Sequence, residues 1–434
     1  MDKKFCAILG YGDRSERYSE YALSHPDELQ VIAVIDIAKH KLEKAKKVFG
    51  LKDDMLFSSL DGFLSKNIKC DFVINGTMDQ LHYETSVKLL KAGYNLLLEK
   101  PVTAKPAELK EIQRLANEKG LKVIVCHVLR YTPFYSKIKE VIACGDIGRI
   151  ISIEMNEHVW HGHFINAYVR GKWRREEDCG SGFLLAKCCH DTDLMCWLNS
   201  TTDPKRVSSF GSRSQYIPEN APEGSTEYCY NCPKKDKCIF NAYDFELKKD
   251  FIPYYTWAGL NKPVDEITEE EKIEFLKKDV YGKCVYKTDM DIVDRQTVSV
   301  EFENGSIATL NMVGGATVAG RHIHIVGDRG EIVGYIEDNK FTVTKYFACE
   351  KEEDLKKNAI VYDLDKDFSF GDGQSIAGHY GGDYFIMKDL LTLLRGENTS
   401  LSTTDINDSV KGHFICYCAE IARKEKRVAD IAEI

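Results

Sequence analysis

Short, continuously apolar runs alternate with helix-patterned stretches through the first third of the chain. Phe5–Leu9 is apolar throughout, and Gly10-Tyr11-Gly12 then leads into a helical pattern through Tyr18, Tyr21 and Ala22. Gln30–Ile35 is a second apolar run, ending in Asp36 and followed by a predicted helix from Lys39 to Phe49 that Gly50 closes. The same alternation repeats as strand Asp71–Asn75, helix His82–Ala92 before Gly93, strand Leu96–Leu98, helix Pro106–Lys119 before Gly120, and strand Val123–Cys126. Runs without polar alternation suit strands buried on both faces of a parallel sheet, and glycine suits the left-handed residue that ends a helix. Strands and helices in this order predict right-handed βαβ units and a Rossmann domain over residues 1–128.

The pattern changes from residue 129 onward. A helix is predicted from Phe134 to Ala143, and Arg149–Met155 alternates as a half-buried strand does. His158–Arg174 is polar and aromatic, predicting a pocket loop, and Phe183–Trp197 reads as a helix. Residues 200–287 form a polar insertion without strand periodicity. Two alternating runs, Thr297–Phe302 and Ile307–Met312, flank Asn304-Gly305, the strongest short hairpin signal. His322–Val326 and Glu331–Ile336 flank Asp328-Arg329-Gly330 and extend the sheet; helices Tyr384–Leu394 and Asp405–Arg423 close the chain. The expected fold is α/β: an N-terminal Rossmann domain and, over residues 129–434, an α/β domain with a large, mainly antiparallel open sheet.

Size agrees, since 434 residues exceed what one core usually serves. A net charge of −9 argues against nucleic acid or an anionic membrane as partner and leaves small molecules. Met1–Lys4 runs straight into a strand, with no signal-peptide pattern, and no apolar run approaches the ~20 residues of a membrane span. A cytoplasmic protein is expected. Its fifteen cysteines, an odd number, are expected to be mostly reduced.

Candidate chemistry concentrates where strands end. Gly10, Gly12, Arg14 and Ser15 form a loop between strand and helix that lets backbone N–H groups approach a pyrophosphate. Asp36 ends the second strand, where an acid accepts from ribose hydroxyls and repels a 2′-phosphate, favouring NAD over NADP; Lys39, His40 and Arg14 keep NADP open. Asp36 could equally cap the next helix. Thr77 and His82 are expected along the nicotinamide half of the cofactor, or as caps. Glu99, Lys100 and Pro101 follow a buried strand at the edge where open α/β sheets bind ligands, making Lys100 the first catalytic candidate. Lys187, His190 and Asp193 recur every three residues on one helix, which tunes His190 as an acid/base group and offers Lys187 as a second catalytic or substrate-binding cation. Arg130, His161, Tyr168, Arg170, Trp173, Asp193, His379 and Asp383 complete an expected sugar pocket of aromatic faces and charges. His161 and His163 could alternatively hold a metal. Cys229, Cys232 and Cys238, with Cys284 beyond, have the spacing of a structural zinc site or of packed thiols.

The glycine loop, Asp36, Thr77 with His82, and Glu99-Lys100-Pro101 together resemble the Gfo/Idh/MocA oxidoreductases, over the whole chain. The resemblance implies a Rossmann domain followed by an open-sheet α/β domain, with Lys100 near nicotinamide and substrate and a second-domain histidine as acid/base. It implies a sugar or polyol substrate and a homodimer or homotetramer covering the open sheet. Many members carry an aspartate four residues before that histidine; here Ala186 stands there, with Lys187 beside it. The expected function is NAD-dependent hydride transfer. Relatives that cleave glycosides through transient oxidation and elimination supply one alternative, and a non-catalytic NAD-binding sensor supplies another.

Overall fold

The computed structural model describes residues 2–346, 351–355, 357–367 and 379–434. Gly378, expected to help open the late helix, lies outside them. The first domain runs β1 (Lys4–Leu9), α1 (Asp13–Ser24), β2 (Leu29–Ile35), α2 (Lys39–Phe49), β3 (Leu56–Phe57), α3 (Leu60–Ser65), β4 (Phe72–Asn75), α4 (His82–Lys91), β5 (Asn95–Leu98), α5 (Pro106–Lys119) and β6 (Val123–Val125). Its six strands are all parallel, in the order β3-β2-β1-β4-β5-β6. The order reverses between β1 and β4, so their carboxyl ends open the crevice in which such sheets bind ligands. Gly50 and Gly120 sit in the left-handed region at the ends of α2 and α5. The two-residue β3 was not foreseen.

The second domain begins with α6 (Pro133–Ala143), β7 (Ile150–Trp160), the short α7 (His161–Phe164) and α8 (Glu176–Cys179), and the long α9 (Phe183–Leu198). It continues through β8 (Pro204–Ser212), α10 (Pro253–Thr256), α11 (Glu269–Leu276), β9 (Arg295–Phe302), β10 (Ile307–Ala316), β11 (Gly320–Gly327), β12 (Gly330–Tyr335) and β13 (Lys340–Lys345). It ends with α12 (Glu352–Leu355), β14 (Ile360–Asp363), α13 (Leu364–Asp367), α14 (Gly382–Leu394), α15 (Ile406–Glu425) and β15 (Ala429–Asp430). Nine strands form one sheet in the order β14-β13-β12-β11-β7-β10-β9-β8-β15. Every neighbour pair is antiparallel except β7 with β10. Gly305 turns the β9–β10 hairpin at a φ of +82°.

Two expectations about this domain need correction. The segment from residue 200 is not wholly an insertion, because Pro204–Ser212 is strand β8, paired with β9. Only Pro204, Val207 and Ser209 of it are buried, while Phe210 faces out, so an inward serine and an outward phenylalanine erase the usual alternation. Nor is His158–Arg174 a loop: β7 runs on to Trp160, and two helical turns follow through Val169.

The chain's end returns to the first domain. Ile386, Met387, Leu390 and Leu391 of α14 pack with Tyr18 and Tyr21 of α1 in one buried cluster. Thr404 O accepts from Val125 N at 2.9 Å on the open edge of β6. Helix α15 packs against α9, which it buries beneath the large sheet. Among the described residues no helix is long and apolar enough to cross a membrane.

Candidate active site

The loop after β1 is shaped for close backbone approach. Gly10 has a φ of +82°, and a Cβ there would meet Gly76 O at 2.8 Å. Gly12 caps α1 without a side-chain hydrogen bond, and a Cβ on it would find only Lys41 Nζ within 4.0 Å. The first amides of α1 therefore face open space, as an anion at a helix N-terminus requires. Ser15, standing where a third glycine is usual, is fully buried against Gly76, whose added Cβ would lie 2.1 Å from Ser15 Oγ. This cradle fits the pyrophosphate of a dinucleotide. Asp36 Oδ2 accepts from Tyr11 N at 2.8 Å and Oδ1 from Ala38 N at 2.8 Å, so it orders the loop and does not cap α2, whose cap is Ala38.

Four residues expected at the cofactor, Arg14, Glu99, His82 and Thr77, have side chains engaged within the protein. The Arg14 guanidinium is taken by Glu99 at 3.0 Å, Asp383 at 2.5 Å and Tyr18 at 2.6 Å, which ties the loop to the returning C-terminal segment. Glu99 also accepts from Lys100 N at 2.9 Å. Burial alone would raise its carboxyl, but the Arg14 and Lys100 charges outweigh this and hold it below its usual range. His82 is fully buried, with its ring nitrogens at Pro101 O (2.7 Å) and Thr77 O (3.0 Å), and so it pins the two loops together and caps nothing. The Thr77 hydroxyl donates to Asn75 Oδ1 at 2.9 Å. The Lys100–Pro101 peptide between β5 and the next loop is cis.

Lys100 carries the junction between domains. Its Nζ donates to Ala186 O at 2.9 Å, one turn before His190 on α9. His190 is 5% exposed, and burial, followed by the charges of Lys100 and other neighbours, pushes its pKa well below the usual imidazole value. Lys187 lies 3.6 Å from Glu157 of β7. Its amine is lowered by burial and by the Arg321 and Lys100 charges, with Glu157 opposing. Arg321 of β11 braces this acid and Asp191 at 2.6 and 2.8 Å. Lys100 of the first domain thus reaches α9 of the second, where its charge acts on His190.

Several other expected pocket residues lie elsewhere. Arg130 is fully buried and held by Asp193 at 2.5 and 2.7 Å and by Asp408 at 2.5 Å, so Arg130 and Asp193 frame the site and offer nothing to a substrate. Arg170 is likewise fully buried, pairing with Glu246 at 3.3 Å and donating to Lys283 O and Phe240 O. It rivets the insertion to the domain. His161 turns toward Phe245 and Phe251 of the insertion. Tyr168 packs between Phe164 and Phe183. Trp173 Nε1 donates to Asp79 Oδ2 at 3.0 Å, crossing to the first domain. His379 and Asp383 do reach the site's edge: His379 lies 6.2 Å from His190 ring to ring and 3.2 Å from Arg14. Burial would raise Asp383, but Arg14 and His379 hold it well below the carboxylate range.

The zinc expected at the four cysteines is not shown. Cys229, Cys232, Cys238 and Cys284 are free thiols, and among the described residues no group of three or more His, Cys, Asp or Glu side chains is placed to hold a metal. Arg170 Nη2 lies 3.8 Å from Cys229 Sγ.

Two features escaped the sequence reading. His163 faces the cations: burial, then Lys187, Lys100, His379 and Arg321, push its pKa well below the usual value. One residue's difference from His161 separates the pocket face from the insertion face. The insertion itself roofs the cofactor cleft. Asn261 lines a cavity of about 530 Å³ with Ile37, Ala38, Lys39, His40 and Glu43 beside Asp36. Tyr254 and Tyr255 feel the charge of Asp13 at the start of α1. Lys172, exposed in the cleft, stands over the rings of Trp173 (4.3 Å) and Tyr255 (5.7 Å), with Met78 Sδ its hydrogen-bond partner at 3.0 Å. No composition signal distinguishes such a roof from a solvated loop.

Known proteins share this architecture. The model of an oxidoreductase family with an NAD-binding Rossmann fold matches residues 4–127, and that of its C-terminal alpha/beta domain matches 139–377. The putative oxidoreductase YteT of Bacillus subtilis (strain 168) is 23% identical over 367 residues, 83% of this chain and 82% of that protein. The scyllo-inositol 2-dehydrogenase (NADP(+)) IolW of the same organism is 27% identical over 326 residues, 70% and 82% of the two chains. The structure of a levoglucosan dehydrogenase in complex with NADH and levoglucosan superposes with a TM-score of 0.71 at 16% identity, covering 99% of this chain and 100% of that one.

Proposed function

The chain belongs to the Gfo/Idh/MocA oxidoreductase family, and from that premise we propose that it is an NAD-dependent dehydrogenase acting on a hydroxyl of a carbohydrate or polyol. The observation that carries the reading is the 2.9 Å hydrogen bond from Lys100 Nζ to Ala186 O, which sets a strand-end amine of the cofactor domain beside the turn bearing His190. The polyol and sugar activities of relatives such as scyllo-inositol 2-dehydrogenase and levoglucosan dehydrogenase support the substrate class. NAD, when bound, supplies the hydride acceptor.

The chain's own residues supply the rest. Lys100 spends one N–H on Ala186 O and keeps the others for the substrate oxygen, whose developing charge an ammonium stabilises. His190 is neutral at pH 7 because burial and nearby cations disfavour its charged form, so it can accept the hydroxyl proton. Lys187, His163 and His379 orient the remaining hydroxyls around it. Asp36 at the mouth of β2 disfavours a 2′-phosphate, which supports NAD over NADP. Phe210, Ile307 and Val313 on the open sheet face are exposed, the apolar surface a homo-oligomer would cover.

The test is Lys100→Met against a panel of sugars and polyols. Turnover should vanish while NADH affinity, read by fluorescence, stays within severalfold; unchanged turnover refutes the role. Release of nitrophenol from aryl glycosides without net NADH would assign glycoside cleavage instead.

A further inference from the structure

His190 must lose the proton it accepts, yet it lies on a helix buried over nearly its whole length. Beside it stands His127, fully buried, with neither ring nitrogen hydrogen-bonded to protein. The two rings are 5.6 Å apart, edge to face, and His190 Nδ1 is also buried without a partner. A third imidazole, His413, packs 5.5 Å from His127 on the other side. Its bonding is complete: Nε2 accepts from Val102 N at 3.0 Å and Nδ1 lies 3.3 Å from Ser409 O. His413 is thus locked as a neutral ring, while His127 and His190 have nitrogens to spare. Buried polar atoms without partners are rare enough that three on adjacent rings call for a bridging water or a functional reason.

Beyond His127 lies an acceptor. Its Nε2 is 3.8 Å from Asp193 Oδ1. Asp193 and Asp408 share the guanidinium of Arg130, and the Lys139 and Lys411 amines act on Asp408 as well, which leaves Asp193 as the carboxylate for the relay. A proton arriving there neutralises it. Burial disfavours a lasting imidazolium at His127, as do the charges of Arg130 and of Lys100 from the end of β5; Asp408, and Asp193 at 3.8 Å, oppose them. The proton is therefore driven onward to the carboxylate, whose pKa burial raises to about 6 against the pull of Arg130.

We propose that His127 is a positioning residue for the dehydrogenase reaction, relaying the proton from His190 to Asp193 through one internal water that bridges a nitrogen of each ring. The inference rests on the dehydrogenase reading. The substrate hydroxyl gives its proton to His190 Nε2 as the carbon passes its hydride, with the electron pair, to oxidised NAD. The Nδ1 proton of His190 then moves through the water to one nitrogen of His127, whose other nitrogen hands its own proton to Asp193. Each ring ends neutral, and each link breaks one bond to hydrogen as it forms another.

The test compares His127→Phe with His127→Gln in the full-length holoenzyme. Glutamine keeps hydrogen bonds but cannot carry a proton, so both variants should lose turnover, by roughly 100-fold or more, as removal of an acid/base step does. KM and NADH affinity should stay within threefold, and the solvent deuterium effect on kcat should grow. Recovery of kcat by glutamine would mean that His127 merely holds His190 in place, overturning the relay. A second readout needs no substrate: with 15N-labelled histidine, the His190 Nδ1 resonance of the NADH complex should move in His127→Phe. An unmoved resonance overturns the proposal even if turnover falls. Should the wild type oxidise nothing in the panel, the dehydrogenase reading fails while the resonance still decides whether the two rings are linked.

Discussion

Replacing Arg170 with methionine tests whether the insertion is held by one buried cation. In the wild type the guanidinium faces Glu246 at 3.3 Å and donates to Lys283 O at 2.9 Å and Phe240 O at 2.8 Å, and both charged side chains are fully buried. Methionine fills much of the volume but leaves the Glu246 carboxylate among Asn166 and Thr256 with no counter-charge. Removing one partner of a buried pair costs about 3–5 kcal/mol, whereas replacing both by apolar residues of similar size is often neutral. Arg170→Met should therefore lose that much in urea unfolding at pH 7, and Arg170→Met with Glu246→Leu should recover most of it. The pH dependence has a definite sign. Burial already raises the Glu246 carboxyl, and loss of Arg170 raises it further. The variant's deficit should be full where Glu246 is forced to ionise and should shrink as pH falls and the carboxyl takes up a proton. Limited proteolysis should cut within residues 213–287 before elsewhere. A loss below about 1 kcal/mol, or a double variant no better than the single one, would refute the idea that this pair anchors the roof.

Other outcomes follow from the same contacts. Lys172→Met should weaken NADH binding by roughly five- to tenfold, the worth of about 1 kcal/mol for a partly exposed charge contact, with the loss shrinking at high salt; unchanged affinity would remove Lys172 from the cofactor cleft. Gly76→Ala should lower both thermal stability and NADH affinity, because its Cβ would lie 2.1 Å from Ser15 Oγ, and Gly76→Ala with Ser15→Gly should restore both if the clash is with that hydroxyl. Asp383→Asn should lower thermal stability at neutral pH. Since Arg14 and His379 depress the Asp383 pKa, its contribution is complete above the unfolded carboxylate range near pH 4 and fades as pH falls further, so the two melting curves should approach each other only in acid.

The first domain was legible because its signals are local. Continuous apolar runs and helix-ending glycines mark a parallel sheet whatever follows, and Pro106–Lys119 was bounded to the residue by its proline and Gly120. The positions of Lys100 after a buried strand and of His190 on a helix were legible for a related reason, since both elements are locally patterned. What failed depends on partners distant in sequence. Nothing near Arg130 tells that its partners will be Asp193 and Asp408, and nothing near Arg170 announces Glu246. A charged residue in a polar aromatic stretch looks the same whether it meets a substrate or a buried acid. Strand β8 was missed because its inward positions carry a serine.

The return of α14 to the first domain bears on how the protein is made. Tyr18 and Tyr21 leave the ribosome well before the Ile386, Met387, Leu390 and Leu391 that cover them, which follow about 365 residues later (386 − 21). At roughly 5–20 residues per second the wait is tens of seconds, during which an apolar face of the nascent chain stays uncovered. A fragment cut at residue 128 would carry that bare face permanently and should aggregate, and the dinucleotide loop would lack Asp383, its brace through Arg14. The dinucleotide module is therefore completed by a helix that is made hundreds of residues after it.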